Sequence, residues 1–123
     1  MKILVVEDDP AQRAALAKLL RHAGASVKTA SDGADALQLL LEGRYDVLLT
    51  DLHMPKAQLN GFELIDQTHR LPLHNRPGRV VAMSGEYDRG FLNDSVNHPP
   101  AVDFFPKPLD LNTLLDTLGG RMN

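Results

Sequence analysis

Apolar residues fall in five short blocks, separated by longer stretches with helical spacing. Ile3-Leu4-Val5-Val6 dominates the first block, residues 2–7, which is apolar on both faces, as in a strand buried within a parallel sheet. Val27 to Ala30, Asp46 to Thr50, Arg79 to Met83 and Val102 to Phe105 predict four more strands. After the first strand, Asp9 is placed to cap a helix with Pro10 in its first turn. Leu16, Leu19, Leu20 and Ala23 form its buried stripe, and Gly24 stops it. Ser31-Asp32-Gly33 opens a second helix with a stripe of Leu37, Leu40 and Leu41, ended by Gly43. Asn60-Gly61 opens a third through Phe62 and Ile65, which fades before Pro72 and Pro77. Asp110 caps the last, with Leu111, Leu114, Leu115 and Leu118 on one face.

The fourth helical segment is the weak one. Phe91, Leu92 and Val96 offer a stripe over residues 88–97, but Gly90, Asn93 and Asn97 oppose it, and Pro99-Pro100 breaks it. A short or irregular helix is expected there. Strands alternating with helices predict an α/β fold, a doubly wound five-stranded parallel sheet with helices on both faces. In such sheets ligands bind beyond the carboxyl ends of the strands.

Composition narrows the setting. The 123 residues suit one domain over 1–123, and 43% apolar content can fill a single core. The absence of cysteine removes disulfides, thiolate zinc sites and cysteine nucleophiles. Formal charge is −3 with no basic run, so no direct nucleic-acid binding is expected. No apolar stretch reaches the roughly 18 residues of a membrane span. Met1-Lys2-Ile3 enters a strand directly, without the layout of a signal peptide, which points to a cytoplasmic protein with a natural start at Met1. The sequence ends at Gly119-Gly120-Arg121-Met122-Asn123, and both a stand-alone domain and a segment of a larger protein stay open.

The chemistry lies at the strand ends. Glu7-Asp8-Asp9 follow the first strand, Asp51 the third, Ser84 the fourth and Lys107 the fifth. A parallel sheet gathers these ends on one edge. Carboxylates within about 4–6 Å of one another raise each other's pKa unless a cation offsets them. A hard divalent ion and Lys107 are the available offsets, and an all-oxygen donor set favours Mg²⁺, with Mn²⁺ acceptable. An Asp beside such an ion is a competent nucleophile toward phosphorus. The phosphoryl oxygens would then need neutralising by the metal, the Lys107 ammonium and the Ser84 hydroxyl.

These residues resemble the response-regulator receiver domain, the aspartate-phosphorylated switch of two-component signalling, over essentially the whole chain. Val5-Val6-Glu7-Asp8-Asp9-Pro10 is similar to the family's acidic-pair segment, and Asp51-Leu52-His53-Met54-Pro55 to its phosphorylation site. Met83-Ser84-Gly85 resembles its switch-hydroxyl segment, and Asp103-Phe104-Phe105-Pro106-Lys107-Pro108 its lysine segment. The resemblance implies a flavodoxin-like strand order of 2-1-3-4-5. It implies Asp51 as phosphoacceptor, Asp8 as direct metal ligand, Glu7 acting through water and the His53 backbone carbonyl completing the site. Asp9 is then only the helix cap. It further implies Ser84 as switch hydroxyl, Phe104 as rotating aromatic, and a Lys107-Pro108 bond that is often cis. A sensor histidine kinase or histidine phosphotransfer protein would be the phosphodonor, and an unidentified protein the downstream target. Such a chain catalyses its own phosphorylation and slow dephosphorylation without being a metabolic enzyme.

Two departures stand out. Lys56-Ala57-Gln58-Leu59 lengthen the loop before Asn60-Gly61 by about two residues relative to the family, and residues 86–100 replace a firm fourth helix. Glu86, two after Ser84, is an acid placed where an effect on water access is expected. His53 is placed at the mouth of the site, whereas His22, His69, His74 and His98 have no ligand spacing. Two other classes remain in view. A receiver-like docking domain would not turn over phosphate. A small phosphatase with an aspartyl nucleophile would usually carry a second Asp at position 53 and a cap domain.

Overall fold

Five strands pair in parallel in the order β2-β1-β3-β4-β5: β1 (Lys2–Val6), β2 (Ser26–Ala30), β3 (Val47–Asp51), β4 (Arg79–Ser84) and β5 (Val102–Pro106). The computed structural model describes residues 1–55, 57–85 and 102–119. Between the strands run α1 (Pro10–His22), α2 (Gly33–Glu42), α3 (Gly61–Thr68) and, after β5, α4 (Leu111–Thr117). A short 3₁₀ turn at Leu73–Asn75, unexpected from the sequence, precedes β4. The fourth helical segment at 88–97, its Pro99-Pro100 break, Glu86 and His98 lie outside the described residues. No described helix is long and apolar enough to cross a membrane.

Strand alternation splits the core in two. Leu4, Val6, Leu48, Val80 and Ala82 face α2 and α3, where Ala36, Leu40, Leu64 and Ile65 complete the layer. Ile3, Val5, Val47, Leu49, Val81 and Met83 face α1 and α4, where Ala17, Leu20, Leu114 and Leu118 complete the other. The double burial of β1 and β3 explains why they read as unbroken apolar runs. Two expected core leucines lie outside: Leu19 is 49% and Leu41 53% exposed. Ala17 and Ala36 take the inward positions instead, because small residues let the helices approach the sheet.

Caps set the helix ends as their sequences require. Asp9, Asp32, Asn60 and Asp110 each accept backbone N–H bonds of the first turn. Asn60 and Glu63 form a reciprocal capping box. Gly24 adopts φ of 102°, the left-handed conformation that ends α1. The strand order reverses between β1 and β3, and Val6 pairs with Ala30 on one side and Thr50 on the other. The crevice at that reversal opens beside Glu7 and Asp51.

Candidate functional site

Glu7 is the first residue beyond β1 and is held by its backbone. Its N–H donates to the Ala30 carbonyl at 3.2 Å, and its carbonyl accepts from an Arg13 guanidinium nitrogen at 2.8 Å. The residue is only 2% exposed, one carboxylate oxygen accepting from the Asp9 N–H at 3.2 Å. Asp51 closes β3 and is 5% exposed. Its Oδ1 accepts from the His53 N–H at 3.2 Å. Behind it, α3 begins so close that a Cβ on Gly61 would lie 2.0 Å from the Asp51 carbonyl oxygen. Glycine is therefore required at 61 by space alone.

Lys107 reaches both acids. Its Nζ donates to Glu7 Oε2 at 2.6 Å, Asp51 Oδ2 at 2.9 Å and Gln12 Oε1 at 3.0 Å. Its backbone N–H donates to the Ser84 carbonyl at 2.9 Å, and the Lys107-Pro108 peptide is cis. Ser84 is buried at the end of β4 and pairs in register with Pro106. Phe104, beside Ala82 in the sheet, is half-buried against the α2/α3 layer.

Charge crowding shapes the titration of these groups. Burial pushes the Glu7 carboxyl up from its usual range; the Lys107 ammonium and Asp9 N–H oppose this, and the Asp51 charge reinforces it. Burial alone would lower Lys107, but its bonds to Glu7 and Asp51 outweigh it, and the ammonium is held above its usual value. Lys107 therefore stays charged wherever the acids are charged.

One carboxylate oxygen from each of Glu7, Asp8 and Asp51 lies within 4.8 Å of the others. Asp8 is half-buried and the other two are buried. One lysine cannot neutralise three carboxylates, so the set retains excess negative charge. All-oxygen donors and partial solvent access fit a hard dication that keeps several waters.

The residues picked from sequence thus assemble: Glu7, Asp8, Asp51 and Lys107 meet at one edge, with Ser84 and Phe104 on the adjoining strands. The His53 imidazole is exposed at the mouth and packs edge-on against Phe62 at 5.6 Å between ring centroids. Gln12 was missed. Its signal was the Asp9-x-x-Gln12 spacing, in which the third helical residue points back toward the cap. The lengthened loop packs Ala57 and Leu59 against the α2/α3 layer, and the Leu59 carbonyl accepts from the Gly33 N–H at 2.8 Å. It therefore covers the start of α2.

Residues 3–119 match the family model of the response regulator receiver domain. Over 73 residues the chain is 42% identical to the sensor histidine kinase RcsC of Escherichia coli, covering 59% of this chain and 8% of that protein. Over 115 residues it is 33% identical to the transcriptional regulatory protein DltR of Streptococcus agalactiae, covering 94% of this chain and 49% of that protein. The chain thus spans half or less of these relatives. The solved chemotaxis protein CheY4 of Vibrio cholerae superposes with a TM-score of 0.81 at 29% identity, covering 95% of this chain and 94% of that one. The receiver domain of the hybrid histidine kinase CckA gives a TM-score of 0.71 at 30% identity, covering 100% of both chains.

Proposed function

This chain belongs to the response regulator receiver domain family of two-component systems, and from that premise we propose that Asp51 accepts a phosphoryl group from a phosphohistidine partner. The partner is a sensor histidine kinase or histidine phosphotransfer protein acting in the cytoplasm. An Asp51 carboxylate oxygen attacks phosphorus, the P–O bond forms as the P–N bond breaks, and the imidazole nitrogen leaves. Asp8 and Asp51, with the His53 carbonyl, would hold Mg²⁺ directly and Glu7 through water; when bound, the ion offsets charge on the phosphoryl oxygens. Lys107 supplies the fixed positive charge and moves from its carboxylates to a phosphoryl oxygen.

Ser84 then hydrogen-bonds another phosphoryl oxygen, and Phe104 turns into the space it leaves. The surface around β5 shifts between two populations read by a downstream protein. The observation that carries this reading is Lys107 bonded to two buried carboxylates at 2.6 and 2.9 Å. A domain used only for docking gains nothing from that arrangement, because buried charge is costly unless used.

The test is incubation with a small phosphodonor and Mg²⁺. Intact-mass measurement should show a gain of ~80 Da for one phosphoryl group on an acidic nucleophile, abolished by chelation and by Asp51→Asn. No gain in the wild type, or an equal gain in Asp51→Asn, overturns the assignment.

A further inference from the structure

Lys107 has three ammonium protons and three acceptors, of which only Gln12 is uncharged. Gln12 is itself oriented. Its Nε2 donates to Asp9 Oδ2 at 3.1 Å, so its Oε1 is the atom turned toward Lys107. Asp9 is fixed as the α1 cap by the Ala11 and Gln12 N–H groups, and its own N–H donates to Glu7 Oε1 at 3.2 Å. The bonds close a ring: Glu7 to Lys107, Lys107 to Gln12, Gln12 to Asp9 and Asp9 back to Glu7.

We propose that Gln12 is a positioning residue for phosphoryl transfer, holding the Lys107 ammonium so that its other two protons point at Glu7 and Asp51. This rests on the assignment of Asp51 as phosphoacceptor. A neutral acceptor suits the task. It fixes the third proton without adding a fourth negative charge to a site already in excess, and it competes weakly when a phosphoryl oxygen arrives. A lysine has four rotatable bonds, so a third contact on α1 confines the head group where two acids on the sheet leave it free to swing. Gln12 touches no reacting atom and acts only through Lys107.

Gln12→Met keeps the length and helix propensity of the side chain while removing the acceptor. Lysine acylation by a small anhydride, mapped by peptide mass spectrometry, reads how firmly each amine is held, with Lys18 and Lys28 as internal references. Lys107 in Gln12→Met should acylate about fivefold faster than in the wild type, the change expected for losing one ordinary, solvent-exposed hydrogen bond. Lys18 and Lys28 should not change. The phosphorylation rate of Gln12→Met at saturating Mg²⁺ should fall by about the same factor. Unchanged Lys107 acylation overturns the role of Gln12. A wild type that takes up no phosphoryl group overturns the phosphoacceptor assignment instead, while the acylation comparison still decides whether Gln12 holds the lysine.

Discussion

The two faces of the sheet are built differently where they meet the site. On the α2/α3 face the helix starts are held by backbone contact: Gly61 lies against the Asp51 carbonyl at the end of β3, and the Gly33 N–H bonds the Leu59 carbonyl in the loop before α3. On the α1/α4 face a groove of about 550 Å³ runs down to Glu7 and Lys107, walled by Leu16, Leu19, Leu109 and Leu111. One face holds the proposed phosphoacceptor rigidly. The other leaves its lysine approachable from solvent. A site that must fix a nucleophile and still admit a donor needs both.

Gly61→Ala should break the contrast most severely. The added Cβ would sit 2.0 Å from the Asp51 carbonyl oxygen and 2.7 Å from Leu52 Cα, both backbone atoms that cannot yield without moving β3 or α3. A loss of roughly 3–5 kcal/mol is expected, at the upper end of single-substitution effects. Urea denaturation measures it. A loss below about 1 kcal/mol would mean that the closed face is looser than described.

Leucine truncations grade the two faces. Leu64 is fully buried on α3, and Leu64→Ala should cost about 2–5 kcal/mol. Leu19 is 49% exposed on α1, and Leu19→Ala should stay within about 0.5 kcal/mol. Equal costs in thermal or urea unfolding would show that α1 is buried as completely as α3.

That difference marks where the sequence stops being readable. The unbroken runs of β1 and β3 declared burial on both faces, whereas the strand order was implied by the family resemblance alone. Glu7, Asp8, Asp51 and Lys107 were legible because each follows an apolar run directly. Leu19 and Leu41 were not, because a leucine stripe broader than the helix–sheet contact leaves one member outside. Gln12 was hidden because its partner lies 95 positions away, after the edge strand β5. Such pairings carry no local periodicity.

The pH dependence probes the lysine side. Burial raises the folded-state pKa of Glu7 above its unfolded value of 4.5, against the pull of Lys107. Between these two values the folded state keeps a proton that the unfolded chain has lost, so stability falls as pH rises through that window. Asp9 has the opposite sign. Its carboxyl is held below 3.8 by the Gln12 and Ala11 N–H groups, and its contribution is lost only as pH falls below that value. In metal-free buffer Glu7→Gln should therefore gain stability relative to the wild type as pH rises above 4.5, with a slope of at most about 1.4 kcal/mol per pH unit for one proton. Parallel melting curves across pH would mean that Glu7 is not buried against Asp51.

The finest distinction lies in the caps. Asn60 and Glu63 close a reciprocal box at the start of α3, whereas Asp110 caps α4 with its side chain alone. Asn60→Ala should cost about 1 kcal/mol, and Asp110→Ala a similar amount. The consequences should differ in place. The first turn of α3 includes Gly61, whose N–H donates to the Leu52 carbonyl at 3.2 Å directly behind Asp51. Fraying there loosens the backbone of the proposed phosphoacceptor. The first turn of α4 adjoins the groove, and Lys107 keeps its backbone bond to Ser84 when that turn frays. Amide exchange at Gly61 should accelerate about fivefold in Asn60→Ala and stay unchanged in Asp110→Ala. Equal acceleration in both would show that the two faces open together, and that the closed face owes nothing to its own cap.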